Sequence, residues 1–319
     1  MKLVVLERNS VGTDVDVSCF ERFGEVEYYP NTVAENTAER VKDADIVIAN
    51  KAPMNESTLK DAPDVKLICL FATGFDNVDL DYCKSRGIKV ANVVNYSTAA
   101  VVQHTLMLAL ALEEKLAFYD DYVKSDTYAN QDRFSNFDRP FGEFEGKTWG
   151  IVGMGNIGRG VARVAQALGC KVIFYSASGN STCTEYERVE LDTLLAQSDI
   201  LSLHCPLSDR TRGLINKEAF AKMKRSAILV NVARGPVVDT QALYEALTEG
   251  QIAAAGLDVL EKEPISRDNP LGTIKDSTKL IITPHMAWAS TEARERLVSE
   301  VSKNIEAFLG GEDRNIVNK

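Results

Sequence analysis

The sequence is poor in the residues on which many kinds of binding site depend. Its 36 Lys and Arg are outnumbered by 46 Asp and Glu, giving a net charge of −10, whereas nucleic-acid and anionic membrane surfaces require clustered positive charge. Six cysteines include no CxxC pair, and with only three histidines they show no metal-ligand spacing. We therefore predict reduced, mostly buried thiols, no metal, and a cytoplasmic protein without nucleic-acid or membrane partners.

A long hydrophobic run is also missing. The most apolar stretch, residues 99–112, is interrupted by Gln103, His104 and Thr105 and is shorter than the ~20 residues that a transmembrane helix needs. It is interpreted as a buried helix. The amino-terminal MKLVVLERNS meets a charge at Glu7, which predicts a short strand rather than a signal peptide.

Short apolar runs alternate with helix-compatible stretches along both halves of the chain, which predicts parallel βαβ units. The strands of the second half are nearly continuous in Val, Ile and Leu, as expected where helices cover both faces of a sheet. Six such strands match a dinucleotide-binding sheet. The predicted strands are residues 2–6, 26–30, 45–50, 66–73 and 88–92 in the first half, and 148–153, 171–176, 199–204, 227–232, 254–259 and 279–284 in the second.

The last segment, residues 290–308, carries five apolar residues on one helical face, and Gly310–Gly311 end it. These residues are Ala293, Leu297, Val301, Ile305 and Phe308. If this helix returns to the first half, the second sheet is an insertion. The predicted domains are then a substrate domain of residues 1–95 plus 287–319 and a dinucleotide-binding domain of residues 96–286. Two chain crossings of this kind predict a hinge with a cleft.

The stretch WGIVGMGNIGRG contains the pattern GxGxxG in Gly153, Gly155 and Gly158, directly after a strand and before a helix. Such glycines allow a tight turn and close approach of a pyrophosphate to a helix N-terminus. The next strand ends at Ser176 instead of the acid that commonly binds the ribose, and residues 176–187 contain no Lys or Arg. The local sequence thus predicts a modest preference for NAD(H), with NADP not excluded.

Ionisable residues follow three successive strands of the second half: Arg234, Glu263 and His285. Ligands of open parallel sheets bind beyond the carboxyl ends of the strands. An Arg there can bind a substrate carboxylate, and a His paired with a carboxylate can transfer a proton while nicotinamide delivers a hydride. His204 also ends a strand and is the alternative proton donor, whereas His104 is interpreted as a hydrogen-bonded core or interface histidine.

Five motifs of the sequence resemble those of the D-isomer-specific 2-hydroxyacid dehydrogenases, and the resemblance covers essentially the whole chain. The motifs are GMGNIGRGVA, SDILSLHCPLSDRTRGLIN, ILVNVARGPVVD, GLDVLEKEP and ITPHMAWAS, in family order and spacing. The resemblance implies an α/β fold of two doubly wound parallel-sheet domains, with a Rossmann domain inserted into a smaller flavodoxin-like domain. It also implies a homodimer formed through the inserted domain. Met-Ala-Trp after His285 is similar to bacterial glycerate dehydrogenases (hydroxypyruvate reductases), which favours small 2-oxo acids as substrates.

The resemblance also implies roles for single residues. Arg234 would bind the substrate carboxylate, Glu263 would hold the histidine, and His285 would be the acid/base. Asp258 would bind the nicotinamide carboxamide. The predicted substrate-binding residues are Thr73 and Gly74 (through their backbone amides), Arg234, His285 and Trp288. The predicted cofactor-binding residues are Gly153, Gly155, Asn156, Ile157, Gly158, Ser176, His204, Pro206, Thr211, Val232, Ala233, Asp258, His285 and Ala287.

Two alternatives to a glyoxylate or hydroxypyruvate reductase remain open from the sequence. A dehydrogenase of D-lactate or phenyllactate type would use the same three residues. A dinucleotide-sensing binding protein of corepressor type shares the fold and can retain them as well. Formate enzymes of this scaffold carry Gln where Glu263 stands, which argues against that activity.

Overall fold

The computed structural model describes residues 1–319, which form two compact units. The discontinuous unit comprises Met1–Ser97 and Ala289–Lys319, and the inserted unit comprises Thr98–Trp288. Each division of the chain falls two residues after the boundary predicted from the sequence, which lay after residues 95 and 286.

Twelve strands and ten α-helices make up the two units. The strands are β1 (Lys2–Val5), β2 (Glu25–Tyr28), β3 (Ile46–Ala49), β4 (Leu67–Leu70), β5 (Lys89–Ala91), β6 (Thr148–Val152), β7 (Lys171–Tyr175), β8 (Glu187–Arg188), β9 (Ile200–Leu203), β10 (Ile228–Asn231), β11 (Ala254–Leu257) and β12 (Leu280–Ile282). The helices are α1 (Ala34–Val41), α2 (Glu56–Leu59), α3 (Leu80–Ser85), α4 (Thr98–Glu113), α5 (Leu116–Lys124), α6 (Asn156–Ala167), α7 (Leu191–Gln197), α8 (Lys217–Lys222), α9 (Thr240–Thr248) and α10 (Thr291–Leu309).

The discontinuous unit contains a parallel five-stranded sheet in the order β2-β1-β3-β4-β5. This is the flavodoxin-like order. Strands β3 and β4 are buried along their whole length, as expected of central strands that are covered on both faces. The last helix, α10, packs on β4 through a buried face that includes Leu297, Val301 and Ile305, and the predicted fifth residue of that face, Phe308, is half-buried.

The inserted unit contains a parallel seven-stranded sheet in the order β12-β11-β10-β9-β6-β7-β8. The core of this order is that of the dinucleotide-binding sheet, with the first strand, β6, between β9 and β7. All six strands predicted for this half are present, and β8 is a seventh that the sequence did not indicate. The predicted fold class is confirmed.

Helix α4 corrects one expectation. The stretch 99–112 was predicted to be a buried helix, but only one of its faces, with Val101, Thr105 and Leu108, is buried. Met107 and Leu110 on the other side are 41% and 39% exposed. None of the helices combines the length and the apolar composition that a membrane span requires. All six cysteines are free thiols, and all except the half-buried Cys19 are buried.

Candidate active site

Three adjacent strands of the inserted unit bring the predicted catalytic residues to one edge of the sheet. Arg234 follows β10, Glu263 lies in the loop that follows β11, and His285 follows β12. These strands are neighbours and parallel, so that their carboxyl ends meet at the same edge. The order of the strands, rather than closeness in sequence, assembles the site.

His285 is paired with Glu263. Nδ1 of the imidazole lies 2.7 Å from Oε2 of the carboxylate, while Oε1 accepts a 2.9 Å hydrogen bond from the backbone N–H of Leu260. The carboxylate is therefore held from two sides, and because it can only accept, the imidazole must donate through Nδ1–H. The ring is thereby oriented with Nε2 available for proton transfer, and the two side chains are 31% and 35% exposed.

The backbone of His285 adopts an unusual conformation, which Asp258 stabilises. Its φ of +53° lies in the left-handed region, which costs a residue with a Cβ atom roughly 1–2 kcal/mol. The buried carboxylate of Asp258 accepts hydrogen bonds from the backbone N–H groups of Met286 and Ala287. The Asp258 carbonyl accepts a further bond from the N–H of His285. Such strain persists where surrounding contacts enforce it, and it is common at functional sites.

His104 belongs to the same polar cluster. Its Nε2 lies 2.9 Å from Oγ1 of Thr283 and 3.5 Å from Oδ1 of Asp258, and Thr283 in turn donates a 2.6 Å hydrogen bond to Asp258. Burial lowers the pKa of His104, and the neighbouring Asp258 carboxylate opposes this shift. His104 is thus a hydrogen-bonded interior histidine, as predicted.

The Arg234 turn packs against the loop that carries Glu263. A Cβ atom on Gly235 would lie 1.9 Å from the carbonyl carbon of Leu260, so only glycine permits this close approach. The half-buried Arg234 guanidinium donates one hydrogen bond of 2.8 Å, to the carbonyl of Ala233, and forms no salt bridge within the chain. The loops that carry Arg234 and Glu263 therefore pack against each other. The guanidinium group of Arg234 has no anionic partner within the chain.

A cavity of about 660 Å³ lies beside the glycine fingerprint. It is lined by the loops after β6, β7 and β9, three strands that are adjacent in the sheet. Seven predicted cofactor-binding residues line it: Gly153, Gly155, Asn156, Ser176, His204, Pro206 and Thr211. The sequence did not indicate Arg159, Ser178, Asn180 or Arg210, which also line it.

The three fingerprint glycines fit a dinucleotide in different ways. Gly153 has φ of +93°, and a Cβ there would lie 2.9 Å from the backbone of His204 and Cys205. Gly155 has open space where a Cβ would be, while a Cβ on Gly158 would lie 2.2 Å from the carbonyl oxygen of Gly153. Gly153 thus allows the tight turn, Gly155 the approach of the pyrophosphate, and Gly158 the close helix–strand packing that the motif requires. The residues present therefore fit a bound dinucleotide.

The other predicted cofactor-binding residues do not line this cavity. Gly158 and Ile157 serve packing, since Gly158 abuts Gly153 and Ile157 contacts the apolar core. Val232 and Ala233 also pack in the core. Asp258, His285 and Ala287 lie at the strand edge described above, and the bonds of Asp258 to the loop after β12 show a positioning role that the sequence did not indicate.

His204 is not available as a proton donor. Its Nε2 lies 3.0 Å from Oγ of Ser202, and its Nδ1 is buried without a hydrogen-bond partner in the chain. Burial lowers the pKa of His204 to about 3, so the ring is neutral near pH 7. Burial also raises the pKa of the adjacent Cys205 thiol to about 11, so that this thiol is protonated near pH 7.

We expect His204 to make the protein acid-sensitive. The unfolded chain takes up a proton on this ring near pH 6.5, whereas the folded chain does so only near pH 3. Below pH 6.5 the unfolding free energy should therefore fall by about 1.4 kcal/mol per pH unit from this group. Urea denaturation between pH 6.5 and 4.5 should show a shallower slope in His204→Gln than in the wild type. Equal slopes would mean that folded His204 is protonated normally.

The predicted substrate-binding residues Thr73 and Gly74 lie in the discontinuous unit, after β4. Oγ1 of Thr73 donates a 2.7 Å hydrogen bond to the carbonyl of Val93, and the backbone amides of Thr73 and Gly74 donate no hydrogen bond within the chain. Trp288, half-buried, is the last residue of the inserted unit. Their contacts with substrate stay a prediction. The structure contains no group of three or more His, Cys, Asp or Glu that could hold a metal.

A dinucleotide-binding sheet with Arg and a His–Glu pair at adjacent strand ends defines a nicotinamide-dependent oxidoreductase. Comparison with known proteins agrees with this class. A sequence model described as D-isomer specific 2-hydroxyacid dehydrogenase, NAD binding domain, matches residues 106–287. The D-lactate dehydrogenase of Aquifex aeolicus, solved with NAD and lactic acid, superimposes with a TM-score of 0.86 at 31% identity, covering 100% of this chain and 99% of that one.

Two relatives match over nearly their whole length. The hydroxypyruvate reductase of Blautia hydrogenotrophica is 41% identical over 326 residues, covering 100% of both chains. The glycerate dehydrogenase of Methylorubrum extorquens is 40% identical over 317 residues, covering 99% of this chain and 98% of its own. The chain belongs to the D-isomer specific 2-hydroxyacid dehydrogenases, and is an NAD(P)-dependent oxidoreductase acting on a CH–OH group.

Proposed function

We propose that the chain reversibly reduces a small 2-oxo acid, of hydroxypyruvate or glyoxylate type, to the D-2-hydroxy acid with NAD(P)H. The observation that carries the proposal is the 2.7 Å contact between His285 and Glu263, on the same sheet edge as the unpaired Arg234. The names of the Blautia and Methylorubrum relatives, hydroxypyruvate reductase and glycerate dehydrogenase, support this substrate class.

Each residue has a distinct part in this proposal. The bound cofactor supplies the hydride. Arg234 binds the substrate carboxylate through its planar fork and polarises the neighbouring carbonyl. Nε2 of His285 donates the proton that the carbonyl oxygen needs during reduction, and accepts it during oxidation. Glu263 orients the ring through Nδ1 and stabilises the positive charge of the imidazolium.

The test is turnover of hydroxypyruvate, glyoxylate, pyruvate and phenylpyruvate, with NADH and NADPH measured separately and the product resolved on a chiral column. We expect the highest kcat/KM for hydroxypyruvate or glyoxylate, with D-glycerate as the product of the former. Preference for pyruvate or phenylpyruvate would instead indicate a D-lactate or phenyllactate dehydrogenase. Dinucleotide binding without turnover of any of the four acids would indicate a sensing protein.

We also propose that the chain forms a homodimer through residues 107–141 of the inserted unit, a segment with eight exposed apolar side chains. Helix α5 in this segment has no buried residue, although an unpartnered surface helix normally buries an apolar face. Tyr119 bonds to the carbonyl of Arg139 and its ring packs against Phe141, so the segment is ordered without being covered. Its exposed apolar residues are Met107, Leu110, Leu116, Val123, Tyr128, Phe134, Phe137 and Phe141.

Such a concentration of apolar surface favours an isologous contact with a second copy, in which the same segment contributes from both chains. Sedimentation velocity should give a mass of twice the 35.1 kDa chain. Replacing the 90% and 71% exposed Phe134 and Phe137 together by Asp should yield the single chain. Val33→Asp, at a 57% exposed position of the discontinuous unit, is the control and should leave the mass unchanged. A monomeric wild type, or a dimeric double variant, would contradict the proposal.

A further inference from the structure

Two arginines from separate parts of the sequence line the cavity beside the fingerprint. Arg159 lies in the first turn of α6, and Arg210 lies in the loop after β9. The loop after β7, which begins at Ser176, forms the remaining wall. The lining also includes six hydroxyl-bearing residues and no Asp or Glu. The cavity is thus rich in hydrogen-bond donors and positively charged, although the chain has a net charge of −10.

Neither arginine has an anionic partner in the chain. Nη2 of Arg159 lies 3.5 Å from Oγ1 of Thr182, and Nη1 of Arg210 lies 3.4 Å from the carbonyl oxygen of Ser178. Both distances are longer than a good N–H···O hydrogen bond. The two guanidinium groups therefore approach the loop after β7 from different elements, and most of their donors are not used within the chain.

The loops that carry these groups are held in place by their own hydrogen bonds. Thr211 is 2% exposed, and its Oγ1 accepts from the N–H of Ser208 and donates to the carbonyl of Pro206, which fixes the turn before Arg210. On the other wall, the N–H of Gly179 bonds to the carbonyl of Ser176 at 3.0 Å. The backbone of both walls is therefore fixed, and only the two arginine side chains would need to reorient toward an anion placed here.

The position of the cavity indicates which anion it suits. In dinucleotide-binding sheets, the end of the second strand faces the ribose of the adenosine; an acid there binds the 2′-hydroxyl, and a nearby Arg accommodates a 2′-phosphate. The second strand here is β7, which is followed by the neutral, buried Ser176. We propose that Arg159 and Arg210, with the hydroxyl of Ser176, bind the 2′-phosphate of NADP(H), so that the protein prefers NADPH to NADH.

This inference rests on the proposed reductase function and replaces the preference for NADH expected from residues 176–187. It predicts that NADPH binds at least about tenfold more tightly than NADH, as one charge-assisted hydrogen bond can supply. The preference should weaken as salt is added, because the groups are partly exposed. Ser176→Asp should reverse it, since the new carboxylate would repel the phosphate.

The experiment measures binding rather than turnover. Dissociation constants of NADPH, NADH, 2′,5′-ADP and 5′-AMP are determined by calorimetry for the wild type, Arg159→Gln and Arg210→Gln. In the wild type, 2′,5′-ADP should bind more tightly than 5′-AMP, which lacks only the 2′-phosphate. Each substitution should reduce both preferences by about tenfold. The matched controls are Arg163→Gln, one helical turn beyond Arg159, and Arg212→Gln, which lines a different cavity; both should keep the wild-type ratios.

The outcomes separate this inference from the proposed function. Equal affinities for NADPH and NADH in the wild type would overturn the 2′-phosphate site and leave the reductase intact. Equal weakening of both cofactors in Arg159→Gln and Arg210→Gln would also overturn it, because the guanidinium groups would then bind a part that both cofactors share. If none of the four probes binds, both proposals are overturned.

Discussion

His285→Ala should lower kcat for hydroxypyruvate reduction by about 10²–10⁴, the usual contribution of a general acid, while the affinity for the cofactor changes far less. The reason is the geometry of the ring. Nδ1 is committed to Glu263 at 2.7 Å, which leaves Nε2 as the proton donor. The alternative, His204, has a pKa lowered by burial to about 3 and an Nε2 that contacts Oγ of Ser202. Pre-steady-state and steady-state rates with saturating cofactor would measure the loss, and a decrease of less than tenfold would remove His285 from the proton-transfer step.

Two substitutions of Glu263 separate orientation of the ring from stabilisation of its charge. Glu263→Gln removes the negative charge and keeps one acceptor oxygen, which can serve Nδ1–H, while its NH₂ group replaces the oxygen that now accepts from the N–H of Leu260. Glu263→Ala removes the charge and both acceptors. If charge matters most, the two variants should be similarly slow; if orientation dominates, Gln should be much faster than Ala. Glu261→Gln is the matched control, because this neighbouring carboxylate bonds to Thr240 instead. Its rate should equal that of the wild type.

The strands could be predicted because buried strands are rich in apolar residues. Strands β9 and β10 are buried at every residue, and their continuous apolar runs placed them within one residue at each end. Strand β8 was missed for the opposite reason. It consists of Glu187 and Arg188, both exposed at the edge of the sheet. Only backbone pairing with β7 defines this strand, and that pairing produces no pattern of apolar and polar residues in the sequence.

The grouping of Arg234, Glu263 and His285 at neighbouring strand ends could be predicted from the sequence, but the contacts that hold these residues could not. Two of these contacts depend on β11 and β12 being neighbours in the sheet. They are the left-handed backbone of His285 and the hydrogen bonds that Asp258 accepts from the loop after β12. No local sequence pattern signals either of them. The same holds for Arg159 and Arg210. They lie outside residues 176–187, yet the order β9-β6-β7 brings their loops to one cavity. The expected strand order would have been the signal, because it implies that these three loops meet.

Arg234→Gln should lower kcat/KM for hydroxypyruvate by about 100-fold or more, because two charge-assisted hydrogen bonds contribute roughly 1.5–3 kcal/mol each. Both constants should change: KM rises because the carboxylate loses its partner, and kcat falls because polarisation of the adjacent carbonyl is lost. Arg234→Lys should recover only part of the rate, since an ammonium group retains the charge but lacks the planar fork that binds a carboxylate through two N–H groups.

A substrate without a carboxylate distinguishes recognition of the acid from a general disturbance of the site. In the wild type, hydroxypyruvate should be reduced far faster than dihydroxyacetone, in which CH₂OH replaces the carboxylate. Arg234→Gln should reduce this discrimination, because only the acid loses an interaction, whereas a misfolded turn would slow both substrates alike. Arg225→Gln, an exposed position before the amino end of β10, tests long-range charge and should leave the discrimination intact. If discrimination survives in Arg234→Gln, another group binds the carboxylate, and the unpaired guanidinium after β10 has a different role.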